Sequence, residues 1–198
     1  MTKKISKLLG LALILISFTA TAQHEYKTDT DNSVINWKGF KPTGEHYGTI
    51  KLTNGFFSAG NNTISGGNFT IDMNSIVNLD MDATSEYNSK LVNHLKSEDF
   101  FDSKQFPTAT FKIIKATPKG EKTLIQGNLT IKDKTNSIEL LATVEFKGDK
   151  LTFKSDTFKI DRSKWDVKYK SKSFFDSLGD KFIYDDMEMT INVTAIKE

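Results

Sequence analysis

The sequence predicts an all-β domain, an antiparallel barrel or sandwich of about eight strands interrupted by one short helical insertion. Three observations carry that prediction. Apolar and polar residues alternate along most of the chain, turn-forming residues separate the alternating runs at short spacing, and no strand–helix–strand rhythm occurs.

The chain opens on a different pattern. Lys3, Lys4 and Lys7 precede an apolar run from Leu8 to Phe18, and Ala20-Thr21-Ala22 offers small residues for cleavage, as in a signal peptide. The run is too short for a membrane-spanning helix, which needs roughly 20 apolar residues, and no cysteine follows it to carry a lipid anchor. Residues 1–22 are therefore expected to be removed on export, leaving residues 23–198 as one domain without an integral membrane anchor.

Alternation then begins. Ile35 and Trp37 share one face; His46, Gly48, Ile50 and Leu52 share the next; Gly67, Phe69, Ile71 and Met73 follow. Between Ser85 and Lys96, Leu91, Val92 and Leu95 recur at helical spacing, which predicts a short helix that plugs one end of the barrel. Strand periodicity resumes with Ala109, Phe111 and Ile113, then Ile125, Gly127, Leu129 and Ile131, then Ile138, Leu140, Ala142, Val144 and Phe146. Leu151 and Phe153 open another run, and the phase slips before Phe158 and Ile160, which predicts a bulge near Asp156. Met187, Met189, Ile191, Val193 and Ala195 form the last face. Asn54-Gly55, Lys119-Gly120, Asp133 to Asn136 and Gly148-Asp149 are the expected hairpin turns.

Charge and composition exclude several functions. The chain has 27 basic and 25 acidic residues, but without Lys3, Lys4 and Lys7 the basic count falls to 24 and the net charge becomes −1. No basic excess remains to attract nucleic acid. With no cysteine there are no disulfides or thiolate metal sites, a composition suited to a bacterial periplasm or exterior. His24, His46 and His94 have no metal-ligand spacing. Asp29-Thr30-Asp31 and Asp80-Met81-Asp82 resemble calcium loops but place Val34 and Ser85 where glycine is required, and Phe40 and Leu91 where a bidentate Glu belongs. Neither a nucleophile elbow nor a phosphate-cradling loop is present. No metal, cofactor or catalytic residue is expected.

Two features stand out. Arg162 is the single arginine. A planar, bidentate donor there either bridges a nearby carboxylate (Asp156, Asp161 or Asp166) or donates to a ligand. Aromatic residues are also abundant, with 15 Phe, 5 Tyr and 2 Trp. Trp37, Phe69, Phe111, Phe153, Phe158 and Trp165 lie on or beside the alternating faces. They form either a filled core or the wall of a cavity, since an eight-stranded barrel is just wide enough for one small ligand. Gly48, Gly67 and Gly127, interleaved on those faces, favour the cavity by removing side-chain volume.

The chain from about Asp29 to Ala195 resembles the YceI-like family of lipid- or polyisoprenoid-binding periplasmic proteins. Trp37-Lys38-Gly39, Gly44 to Gly48, Gly66 to Met73 and His94 to Asp102 carry the likeness. So do Phe106 to Phe111, Gly127 to Lys132, Ile160 to Trp165 and Leu178 to Ile183, in that order and spacing. The resemblance implies an extended lipocalin-like barrel whose apolar cavity takes a long isoprenoid or fatty chain, and a possible homodimer. It implies no catalytic residue. The expected wall comprises Trp37, Ile50, Phe69, Ile71, Phe111, Ile113, Leu129, Leu140, Phe153, Phe158 and Trp165, with Arg162 and His46 as polar contacts. Trp165 is larger than the aromatic in many relatives, which implies a shortened cavity or an altered choice of ligand. The alternative is a structural or stress-response barrel filled by its own side chains.

Overall fold

A computed structural model describes residues 23–198; the expected signal peptide lies outside the described residues. There are nine strands among the described residues: β1 (His24–Lys41), β2 (Gly44–Gly60), β3 (Thr63–Asn78), β4 (Thr108–Lys119), β5 (Lys122–Ile131), β6 (Lys134–Lys147), β7 (Lys150–Ser155), β8 (Phe158–Asp161) and β9 (Asp186–Lys197). Each pairs antiparallel with its neighbour, and β1 pairs with β9 to close the sheet. Because β7 and β8 lie end to end against β9, the barrel has eight staves. Closure leaves no sheet edge running the length of the molecule.

The junction between β7 and β8 is the expected bulge. Lys154 pairs with Asn192 and Phe158 with Met189, so three residues on one strand stand against two on the other. The Ser155 hydroxyl accepts the Ile191 N–H at 2.8 Å in place of the missing ladder bond, and the Asp156 N–H turns to the Leu141 carbonyl at 2.8 Å.

Two hairpins differ from the sequence expectation. Asn54-Gly55 lies inside β2, where the pairing with β3 slips between Leu52 and Asn54. The β2–β3 turn is Asn61-Asn62, with φ of 50° and 56°, a left-handed pair that asparagine tolerates and a two-residue hairpin needs. Likewise β5 and β6 join at Lys132-Asp133 (φ 48° and 59°), which meets the expected segment only at Asp133, since Lys134 to Asn136 belong to β6. Gly55 is in β2 for a packing reason: a Cβ there would lie 2.4 Å from the Phe69 ring.

The two barrel ends differ in kind. At one end are both termini of the barrel and the tight turns at 61–62, 120–121 and 148–149. Every long connection falls at the other end, including α1 (Glu86–Lys96), which follows β3. Ser85 caps α1 by accepting the Tyr87 N–H at 3.2 Å, and Glu86 sits in the first turn, where the helix dipole favours an anion. Asn88 donates to the Met81 carbonyl at 3.0 Å and holds the incoming loop. Leu95, Phe100 and Phe101 are buried in the core at this end; α1 and the turn after it form the expected plug.

Candidate binding cavity

Alternation places one face of every strand inside the barrel, and those residues enclose two adjoining apolar chambers. The chamber toward the tight turns is bounded by Leu52, Phe57, Phe69, Phe111, Ile113, Ile138, Phe153, Phe158, Ile191 and Val193. The chamber toward α1 is bounded by Trp37, Ile50, Met73, Ile76, Leu95, Phe101, Ala109, Ile131 and Met187. Ile35, Ile71, Leu129, Ile160 and Met189 border both, so the chambers are successive parts of one bore. Their cavity volumes are about 70 and 90 Å³. Each is smaller than the roughly 150 Å³ apolar cavity that admits benzene.

Rings occupy much of the remaining width. Phe57 meets Phe69 edge to face at 4.7 Å and Phe153 at 5.3 Å between centroids. The interleaved glycines do not widen the bore as the sequence suggested. A Cβ on Gly127 would fall 2.4 Å from the Phe111 ring, one on Gly48 2.8 Å from Trp37, and one on Gly67 3.1 Å from Phe69. At Gly127 the Phe111 ring takes the place of the missing side chain; at Gly48 and Gly67 the nearest atom is a backbone carbonyl oxygen, of Val77 and Phe56, with the ring beside it.

The expected wall residues divide accordingly. Phe69, Phe111, Ile113, Phe153 and Phe158 border the first chamber, Trp37 and Ile50 the second, and Ile71 and Leu129 both. Leu140 and Trp165 are buried but border neither. Trp165 is instead anchored in a 3-10 turn (Arg162–Trp165), its indole N–H donating to the Leu129 carbonyl at 3.0 Å. Its bulk therefore does not shorten the bore. Met187, Met189, Phe57 and Ile160 contribute to the wall without having been singled out. Period-2 placement was the available signal for Met187, Met189 and Ile160, whereas Phe57 faces inward only because β2 changes phase between Leu52 and Asn54.

A third recess at the α1 end joins the second chamber through Trp37, Leu95 and Met187, and brings in His46, Tyr184 and Arg162. Arg162 is 2% exposed. Nε donates to Tyr184 O (3.3 Å), Nη1 to Val167 O (2.9 Å), and Nη2 to Tyr169 O (2.9 Å) and Ile183 O (3.2 Å). Four of five N–H bonds thus serve backbone carbonyls of the loop between the 3-10 turn and β9. Its charge partner is Asp185, not Asp156, Asp161 or Asp166: Oδ1 lies 3.1 Å from Nη2, off the line of the N–H bonds, so the contact is electrostatic. Burial lowers the guanidinium pKa, and Asp185 and Asp161 oppose the shift.

His46 lies at the rim. Nδ1 is 2.8 Å from Asp80 Oδ2 and Nε2 is 3.3 Å from Lys41 Nζ. Because an ammonium can only donate, the Lys41 contact assigns the lone pair to Nε2 and the proton to Nδ1. Burial opposes ionisation of Asp80, but hydrogen bonds from the Tyr47 N–H, His46 and Asn78 outweigh it and hold the carboxyl below its ordinary 3.8. No group of three His, Asp or Glu side chains among the described residues is arranged to hold a metal. No helix among them is long and apolar enough to cross a membrane.

A YceI-like domain model matches residues 26–195. Protein YceI of Salmonella arizonae is 31% identical over 150 residues, covering 72% of this chain and 74% of that protein. Among solved structures, Burkholderia cenocepacia BcnA superposes with a TM-score of 0.62 at 21% identity, over 85% of this chain and 99% of that one. A polyisoprenoid binding domain from Saccharophagus degradans gives 0.60 at 12% identity, over 87% and 98%. The YCEI protein of Campylobacter jejuni gives 0.53 at 20% identity, over 100% and 99%. At such identities the structural likenesses establish the fold alone.

Proposed function

Because this chain belongs to the YceI-like family, we propose that it is a non-catalytic binding protein that holds a polyisoprenoid or other long-chain lipid in its bore, for carriage or storage in the periplasm after removal of residues 1–22. The observation that carries the reading is the bore itself, two adjoining chambers bounded solely by apolar side chains. The description of the Saccharophagus neighbour as a polyisoprenoid binding domain supports the same ligand class. Apolar contact is enough for affinity, since each buried methylene contributes roughly 0.8 kcal/mol. No catalytic step is required of the wall.

Ligand pockets usually occupy roughly 300–1,000 Å³, more than the two chambers offer. A long chain would enter by moving the rings of Phe57, Phe69, Phe111 and Phe153 aside, Phe69 and Phe111 off the glycine positions they cover. The small free volume also favours a second reading, a barrel filled by its own side chains. Competition against a fluorescent fatty-acyl probe separates the two. The carrier reading expects affinity to rise roughly fourfold per added methylene until the bore is full. A barrel filled by its own side chains would bind no probe at any chain length.

A further inference from the structure

The loop between the 3-10 turn and β9, residues 166–185, was not assigned by the bore. It carries three of the large exposed apolar side chains, Phe174, Phe175 and Tyr184, with Phe174 43% and Phe175 49% exposed. Lysines are interleaved with them. Lys172 Nζ stands 3.6 Å over the Phe182 ring, Lys168 5.1 Å over Phe174 and Lys170 5.2 Å over Tyr169. Residues 166–185 contain four Lys (168, 170, 172 and 181) and four Asp (166, 176, 180 and 185). Asp166 is paired with Lys168 and Lys134 and Asp185 with Arg162, which leaves Lys170, Lys172 and Lys181 against Asp176 and Asp180. Asp185 is already engaged by Arg162, Ser171 and Ser173.

Position gives this patch its meaning. The turns at the other end, Asn61-Asn62, Gly120-Glu121 and Gly148-Asp149, present polar tips. At the α1 end, Ile183 and Tyr184 border the recess that shares Trp37, Leu95 and Met187 with the second chamber of the bore. Arg162 binds both ends of the loop, through Val167 and Tyr169 on one side and Ile183 and Tyr184 on the other, so the exposed aromatics project from a fixed base.

We propose that the 166–185 loop is a membrane-docking surface that seats the α1 end of the barrel on an anionic bilayer. Exposed aromatic rings suit the boundary between headgroups and acyl chains, and the surrounding lysines match anionic headgroups. This rests on the lipid-binding reading and deepens it: a docked barrel takes up a lipid chain without exposing it to water.

Residues 24–197 contain every strand and the whole core, so the chain beginning at Gln23 is the folding unit to test. It is mixed with vesicles of phosphatidylcholine alone or of equimolar phosphatidylcholine and phosphatidylglycerol, and recovered by flotation. The protein should float with the anionic vesicles. Phe174→Ser with Phe175→Ser, and separately Lys172→Glu with Lys181→Glu, should each weaken partitioning roughly tenfold at unchanged melting temperature. Lys119→Glu with Lys147→Glu, at the opposite end, should leave it unchanged. As a readout independent of folding losses, a solvent-sensitive dye on Ser177→Cys should shift blue on anionic vesicles, and one on Asn62→Cys should not. Docking is overturned if the wild type does not float, if the loop variants float as well as it does, or if they instead dissociate a protein oligomer. The mass of any lipid retained is read separately. Retained lipid without vesicle binding overturns docking alone, whereas vesicle binding with an empty bore overturns only the carrier reading.

Discussion

Arg162 is a clamp whose worth lies in its fork of donors. Lysine could keep the charge beside Asp185 but could not reach four carbonyls spread from Val167 to Tyr184. Arg162→Lys should therefore lower stability by about 3 kcal/mol, the cost typical of breaking a buried charged network, and urea denaturation measures it; unchanged stability would contradict the clamp. The singularity of this arginine was visible in the sequence. Its partner was not, because Asp185 reaches it only after the intervening loop has folded back, whereas adjacency along the chain pointed to Asp161 and Asp166. Asp80 illustrates the complementary case of a carboxylate held ionised by donors. Its folded pKa lies below 3.8, so its contribution is fully present above that value and is lost as pH falls through the lower folded value. Asp80→Asn should make stability less steeply pH-dependent below about pH 4, as followed by thermal melts across that range. An equally steep acid limb in the variant would show that Asp80 is not its source.

At the scale of the element, period-2 alternation located the strands, and α1 runs Glu86–Lys96 behind its Ser85 cap, close to the span its helical spacing implied. The errors came from glycine. Asn54-Gly55 has the composition of a hairpin turn, yet it is a strand position covered by Phe69; Gly127 looked like added cavity, yet the Phe111 ring fills its space. Both depend on a ring from an adjacent strand, information that local sequence lacks. Gly127→Ala should accordingly destabilise the barrel by about 1–3 kcal/mol through overpacking, since its Cβ meets the Lys112 carbonyl at 2.7 Å as well as the ring. Combining it with Phe111→Leu should recover part of that loss. A neutral Gly127→Ala in chemical denaturation would refute the ring-over-glycine packing.

For the whole molecule, the organising feature is asymmetry between the ends. Tight turns close one end, while α1, Phe100, Phe101 and the Arg162-clamped loop build the other around a recess that adjoins the bore. The eight-stave barrel and its apolar interior were legible because alternation is a property of each strand alone. The size of the bore was not, because free volume depends on how rings from several strands share the space between them. Function turns on whether those rings yield to a lipid chain. The most direct measurement is the native mass of the protein recovered without detergent from a host that makes polyisoprenoids. A bound species of several hundred daltons, lost on organic extraction, is the expected result. A protein with no added mass, which also takes up no long-chain lipid supplied after purification, would contradict the binding function.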